Sequence, residues 1–238
     1  MLRIENLSVA INSVQILRGV SLELPTGSMT GLIGRNGAGK TTLMKSVMGL
    51  LKISQGNVFW DQENLGKTHT HQRASLGIGY MPEDRRLIPD LTVEENVLVP
   101  AWALGRADAR ERLKKVHDYI PELVDFGPRK GLQLSGGQQK LAALGRALMC
   151  GTKLLLLDEP TSGVSAEEKY GVMDRVMAAV KAEGATVLFV EHDMEVVSRF
   201  AERVLAFYDG RIIADGAPQG VLNDSEVKRY VVGIHAQD

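Results

Sequence analysis

Residues 34–41, Gly34-Arg35-Asn36-Gly37-Ala38-Gly39-Lys40-Thr41, have the residue types and spacing of a phosphate-binding loop. The glycines let successive backbone N–H groups curl around an anion without side chains in the way. A helix starting near Gly39 aims its positive dipole end at the phosphates. Lys40 can reach the β- and γ-phosphates, and the Thr41 hydroxyl can ligate Mg2+. Thr42 stands beside them and joins the nucleotide-binding set. The apolar run Leu154-Leu155-Leu156-Leu157 then ends in two acids, Asp158 and Glu159. A carboxylate at the C-terminal end of a parallel strand lies beside the loops that bind ligand. Asp158 is therefore a candidate Mg2+ ligand. Glu159, one residue on, is placed to orient or deprotonate a water attacking the γ-phosphate. Together these residues describe a P-loop nucleoside triphosphatase with hydrolytic equipment and candidate Mg2+ ligands, and do not say what work it does.

The elements that must position this chemistry are readable from periodicity. Val20, Leu22 and Leu24 alternate with polar residues, predicting a half-buried strand. Short apolar runs at Met29–Ile33 and Asn57–Trp60 predict two more. Leu43, Met44, Val47, Met48 and Leu51 follow a helical period directly after the loop. The unalternating runs Leu154–Leu157 and Thr186–Val190 suit strands covered on both faces. A helical stripe at Met173, Val176, Met177 and Val180 lies between them, as a βαβ crossover requires. Asp209-Gly210 between Val204–Tyr208 and Arg211–Ala214 predicts a hairpin. From about Leu91 to Met149 the chain reads mainly as helix, with Glu94–Leu104 and Asp108–Tyr119 the clearest segments. The flanking motifs belong to one nucleotide-binding core, so this stretch is expected to be a helical insertion.

Composition narrows the class. The 238 residues are 44% hydrophobic and 24% charged, with a net charge of −1, as in a soluble globular protein. Balanced charge argues against nucleic acid as a partner. One cysteine, Cys150, excludes an internal disulfide framework. No stretch approaches the ~18 apolar residues of a membrane span. Arg3, Glu5 and Asn6 interrupt the place where a signal peptide would have its apolar core. The expectation is a peripheral protein on the cytoplasmic side of the cell (inner) membrane, without signal peptide or transmembrane helix.

Leu134-Ser135-Gly136-Gly137-Gln138, a second glycine-rich segment opening a helix over roughly 138–149, completes the set. With the phosphate loop and the acidic strand, it makes the chain resemble the ATP-binding-cassette (ABC) ATPases over essentially its whole length. The resemblance implies an α/β fold: a P-loop NTPase, RecA-like core with an antiparallel β subdomain and a helical insertion subdomain. It implies one ABC ATPase domain over 1–238, with the core at about 1–83 and 150–238 and the helical subdomain at about 84–149. In this family Leu134 to Gln138 form the signature that acts on the ATP of a partner subunit in a head-to-tail dimer. His192, within Glu191-His192-Asp193, matches the family's switch histidine, which contacts the γ-phosphate. Lys40, Glu159 and His192 are thereby the expected catalytic residues.

Pro82-Glu83-Asp84-Arg85-Arg86, Leu91-Thr92-Val93-Glu94-Glu95-Asn96 and Glu191-His192-Asp193-Met194 resemble the importer ATPases for branched-chain and other hydrophobic amino acids, a type shared with urea and amide importers. That resemblance implies integral membrane permeases as partners, a homodimer or a heterodimer with a paralogous ATPase, and a periplasmic or extracellular solute-binding protein. Coupling to the permease is expected near Glu83–Pro89, where Arg85 and Arg86 are either pairing partners for membrane-subunit acids or solvated side chains. An exporter ATPase of the lipopolysaccharide-export type, or a soluble cassette acting on nucleic acid or ribosomes, are the alternatives. The sequence departs from the family in three places. Glu83 replaces the usual glutamine but can also ligate Mg2+. Ile11 stands where an aromatic usually stacks on adenine, offering apolar contact without a π-face. Ser165 stands where an aspartate is common.

Overall fold

The computed structural model describes residues 1–150 and 153–233, in two compact units. Unit one comprises Met1–Arg73 and Leu188–Asp238, and unit two Ala74–Val187.

The first segment of unit one carries β1 (Leu2–Ile11), β2 (Val14–Leu24), β3 (Met29–Gly34), α1 (Lys40–Val47), β4 (Gln55–Trp60), β5 (Glu63–Asn64) and α2 (Thr70–Arg73). An antiparallel sheet runs in the order β2-β1-β4-β5. Strand β1 buries Leu2 and Ile4, then Leu7 and Val9, which is one residue out of strict alternation. A bulge resolves this: Ile4 pairs with Leu22 but Leu7 with Val20, and Asn6 takes φ 48° to absorb the extra residue. Both pairs of apolar side chains then face the core, each burial stabilising by about 1.5–3 kcal/mol. β1 and β2 are joined by Asn12-Ser13, both in left-handed conformation, a two-residue hairpin turn.

Unit two contains β6 (Ile78–Met81), α3 (Val93–Ala103), α4 (Ala109–Tyr119), α5 (Glu122–Phe126), α6 (Gly136–Cys150), β7 (Leu154–Asp158) and α7 (Glu168–Glu183). The insertion expected after Leu91 is indeed helical. Helix α3 opens with a capping box between Thr92 and Glu95, and α7 stops at Gly184 with φ 65°. Strands β6 and β7 pair in parallel, Ile78 opposite Leu154 through Met81 opposite Leu157. All of Leu154–Leu157 is buried, as expected of a strand covered on both faces.

β8 (Thr186–Val190) leads the chain back into unit one, followed by α8 (Met194–Phe200), β9 (Arg203–Tyr208), β10 (Arg211–Gly216), α9 (Pro218–Asn223), α10 (Ser225–Val227) and a wide turn over Lys228–Val232. Here β3 lies between β9 and β8, with β10 outside β9. β3 runs parallel to β9, from Thr30 opposite Arg203 to Gly34 opposite Phe207. The expected hairpin at Asp209-Gly210 is present, with φ 45° and 72° at its two turn residues.

Candidate active site

In unit one the phosphate loop leaves the buried strand β3 at Gly34 and enters α1 at Lys40. Gly39 caps the helix with φ 109° and ψ 3°, offers no side-chain cap, and no acidic residue follows in the first turn. The dipole end of α1 is thus left for an external anion. Glycine suits that position because φ 109° is a backbone conformation that L side chains rarely adopt, and a Cβ there would also press on Leu17 Cδ2 at 2.9 Å. The loop is pinned at Ala38, whose carbonyl accepts from Gly210 N at 3.0 Å, and Gly210 is held in turn by Arg18 N of β2, which donates to Gly210 O at 3.0 Å. Lys40 is buried, its ammonium donating to Gly34 O at 2.7 Å and Arg35 O at 3.0 Å. Arg35, Asn36 and Gly37 are exposed at the loop's rim, and Thr41 and Thr42 half-buried in the first helical turn.

The other end of α1 is held by a residue without a sequence signal. Arg73, buried at 4% exposure, donates to the Ser46 and Val47 carbonyls at the end of α1, and to those of Leu65 and Thr68. α1 consequently ends at Val47, and Leu51, expected on its apolar stripe, lies beyond it. His192 is exposed after β8, its N–H donating to the Glu191 carboxylate at 3.2 Å, and Asp193 caps α8. Ile11 sits at the tip of the β1–β2 hairpin, 37% exposed.

In unit two Asp158 is fully buried at the end of β7, and Glu159 follows with φ 53°. A non-glycine residue in the left-handed region costs of order 1–3 kcal/mol and marks a position held by its surroundings. The half-buried Tyr80 of β6 belongs to this region, its phenol pushed upward by burial and then by the carboxylates of Asp158 and Asp84. Glu83 is exposed just after β6. Beyond it the chain is strained again at Arg85 and Arg86, φ 58° and 48°. Helix α6 holds this loop: Arg85 Nη1 donates to Gln139 Oε1 at 2.8 Å, and Arg146 donates to the Arg85 and Arg86 carbonyls. Buried Asn96 of α3 fixes the loop's far half through the Ile88 amide and the Ile88, Leu91 and Thr92 carbonyls. Arg86 pairs with Asp84 at 2.9 Å on the surface.

The signature opens α6. Leu134 is buried and anchors the segment, Ser135 is exposed, and the helix begins two residues earlier than the expected 138–149. A Cβ on Gly136 would lie 2.8 Å from Gly163 O, so a larger residue would push away the loop that carries Ser165. Ser135 and Gln138 cap the helix reciprocally: Gln138 N donates to Ser135 Oγ at 3.3 Å and Ser135 N to Gln138 Oε1 at 3.1 Å. Ser165 caps the start of α7, its hydroxyl donating to Glu168 Oε2 at 2.9 Å and accepting from Glu168 N at 3.3 Å.

The family described as "ABC transporter" matches residues 17–162, a span that includes the phosphate loop, the signature and Asp158-Glu159. The chain belongs to the ABC transporter family. Over 98% of its length it is 30% identical to the probable branched-chain amino acid transport ATP-binding protein LivF of Archaeoglobus fulgidus, covering 99% of that protein. It is 33% identical to the lipopolysaccharide export system ATP-binding protein LptB of Haemophilus influenzae, covering 98% of this chain and 97% of that one. Among solved structures it resembles a dimeric ATP-binding cassette in a post-hydrolysis state bound to ADP and phosphate, with a TM-score of 0.82 and 26% identity over 92% of this chain and 99% of that one.

This ABC chain is therefore an ATPase subunit of a transporter that binds ATP, and its α/β P-loop fold agrees with the sequence expectation. The hard oxygen donors expected for Mg2+ are Thr41 in unit one, with Asp158 and Glu83 in unit two. One hydroxyl and two carboxylates suit a cation that prefers oxygen and is usually held by one or two carboxylates beside substrate phosphates. Among the described residues no helix is long and apolar enough to cross a membrane. Sequence reasoning overlooked Arg73 and Lys140 of this ATPase and gave Asn96, named only within the Leu91–Asn96 motif, no role of its own; all three are polar and buried. For Lys140 a signal existed: with Leu144 and Ala147 it falls on the buried stripe of α6.

Proposed function

We propose that the chain is the ATP-hydrolysing subunit of a multi-subunit ABC importer for branched-chain amino acids or related small polar or hydrophobic solutes. The observation that carries this is the end-to-end match to LivF, 98% of this chain against 99% of that one. The Glu83–Arg86 loop supports the same assignment. Its partners are then integral membrane permeases and a solute-binding protein, with two ATPase chains paired as a homodimer or with a paralogue. It works peripherally on the cytoplasmic side of the membrane. The equally extensive match to LptB supports a second reading, an exporter of lipopolysaccharide type. The domain reading is one ABC ATPase domain, with core segments at about 1–83 and 150–238 and a helical lobe at about 84–149.

In this proposal residues 34–42 bind the triphosphate, Lys40 by charge and the first turn of α1 by its uncapped N–H groups. Mg2+, when bound, neutralises charge developing on the phosphates. Thr41, Asp158 and Glu83 are the residues that would supply it with protein oxygens. Glu159 orients and deprotonates the attacking water, and His192 steadies the γ-phosphate. Ile11 gives the base an apolar surface without stacking. Leu134–Gln138 act on the partner's ATP.

Two experiments test the two levels. Glu159→Gln removes the base but keeps its shape, so turnover should fall by about 100-fold or more while ATP binding persists. Full turnover in that variant would remove Glu159 from its role. For the cargo, cells lacking the chain should lose uptake of labelled leucine and regain it with the wild-type chain. Undiminished uptake, with lipopolysaccharide retained at the inner membrane, would favour export instead.

A further inference from the structure

Lys140 lies one turn into the signature helix with no exposed surface, an unusual place for an ammonium group. Taking that charge out of water is costly unless its N–H groups are used. They are aimed at main chain: Nζ donates to Glu159 O at 2.6 Å and to Glu83 O at 3.3 Å. Both acceptors are carbonyls of residues in the ATPase machinery, and one of them, Glu159, has its backbone at φ 53°. Its carbonyl also accepts from Ser162 N at 3.2 Å, so the turn that aims the Glu159 side chain is gripped from two sides. Rotating that carbonyl changes ψ of Glu159 and would swing the chain on either side of it.

We infer that Lys140 is a positioning residue for hydrolysis. Its ammonium locks the Glu159 turn and the Glu83 loop to the signature helix, so that a shift of α6 is carried to the carboxylate that activates water. The neighbouring bonds from α6, Gln139 with Arg85 and Arg146 with the Arg85 and Arg86 carbonyls, fasten the helix to the same loop and make it stiff enough to transmit the shift. The two ends of this link serve different nucleotides in the proposed dimer. The signature meets the partner's ATP, whereas Glu159 acts on the chain's own. Lys140 would then tell one composite site whether the other is filled, a task for which Ser165, in place of the family's usual aspartate, lacks the charge. The inference rests on the proposed role of Glu159.

Lys140→Met keeps the length of the side chain and removes the donors. Turnover should fall by about ten- to a hundredfold, because a base displaced by a fraction of an ångström loses its alignment. The KM for ATP and the Kd for a fluorescent ATP analogue should stay within about twofold, since the phosphate loop is untouched. Lys140→Gln restores a two-proton donor on a shorter arm, and its kcat should lie between those of the wild type and the Met variant. Wild-type kcat in Lys140→Met would overturn the inference. So would a parallel loss of kcat and ATP affinity with no recovery in Lys140→Gln, the mark of a merely structural lysine. Should Lys140→Met fail to fold, Lys140→Gln decides alone: lowered kcat at unchanged Kd supports the link, and wild-type kcat removes it. Glu159→Gln is run alongside. If it retains full turnover, the assignment of Glu159 has failed, whatever Lys140 does.

Discussion

Helices α1 and α6 both start in glycine-rich segments, yet their first turns are finished in opposite ways. At α1 the capping residue is Gly39, which supplies no side chain, and the following Lys40 is buried with its charge held at the loop carbonyls. At α6 the chain closes its own helix end, with Ser135 and Gln138 satisfying each other's N–H groups. A capping interaction of that kind is worth about 0.5–2 kcal/mol. An anion reaching α1 meets donors with no internal competitor from the cap. One reaching α6 must share or displace a bond the chain already makes. The first site is built to bind by itself, the second to respond once something else has brought a phosphate to it. That is the division expected if the P-loop owns the nucleotide and the signature only completes the site of a partner.

The sharpest way to break this comparison is at Lys40. Lys40→Met removes the buried charge placed at the loop while preserving the volume of the side chain. Phosphate release should drop by about 10²–10³-fold, the range expected when one electrostatic stabiliser of the transition state is deleted. ATP affinity should fall with it, because the lysine holds ground state and transition state alike. A variant that kept its affinity and lost only turnover would show that the loop amides alone own the nucleotide.

A smaller effect is expected from the opposite end of α1. Arg73→Met removes the side-chain donor from the carbonyl oxygens of Ser46, Val47, Leu65 and Thr68, of which Ser46 keeps Gly49 N and Leu65 keeps Thr68 N as main-chain donors. The expected loss is about 3 kcal/mol of stability, read as a lower midpoint in urea unfolding, since each orphaned buried group costs about 1–3 kcal/mol and relaxation recovers part of it. Since α1 is the element that carries the phosphate-binding turn, ATP should raise the variant's midpoint less than it raises the wild type's. An unchanged midpoint would mean that water replaces the guanidinium there.

Arg73 also shows where sequence reasoning stopped. The strands and long helices were readable because their apolar residues keep period: Leu154–Leu157 and Thr186–Val190 appear as β7 and β8 with nearly the bounds expected, and α3 and α4 within a residue of theirs. The phosphate loop, the acids and the signature were readable because their chemistry fixes residue type and spacing together. What escaped were side chains whose role is set by main-chain groups far along the chain. Arg73 serves carbonyls 26 and 27 residues earlier, and Lys140 grips carbonyls 57 residues before it and 19 after. Carbonyls carry no residue identity, so no motif announces them. The bulge at Asn6 escaped for a related reason: alternation that slips by one looks like noise until the pairing register shows both halves facing inward. Arg85, open in sequence between solvent and a membrane partner, is drawn to Gln139 within its own unit.

Ser135→Ala tests the comparison at its gentler end. Removing the hydroxyl deletes one half of the cap on α6, and Gln138 N loses its side-chain acceptor. The expected cost is about 1 kcal/mol, a thermal midpoint lower by about 2–4 °C for a chain of this size. The isolated chain should bind ATP as before, because its own P-loop is intact, while turnover falls as the signature loses a donor for the partner's phosphate. The decisive measurement mixes the two lesions. A Ser135→Ala chain keeps Lys40, and a Lys40→Met chain keeps its signature, so a mixed dimer contains one site with both parts sound. ATP hydrolysis in the mixture above the sum of the separate variants would show that the two helix ends work on the same nucleotide from different chains. A strictly additive rate would mean that each signature serves its own chain, and the division of labour drawn from the two caps would fall with it.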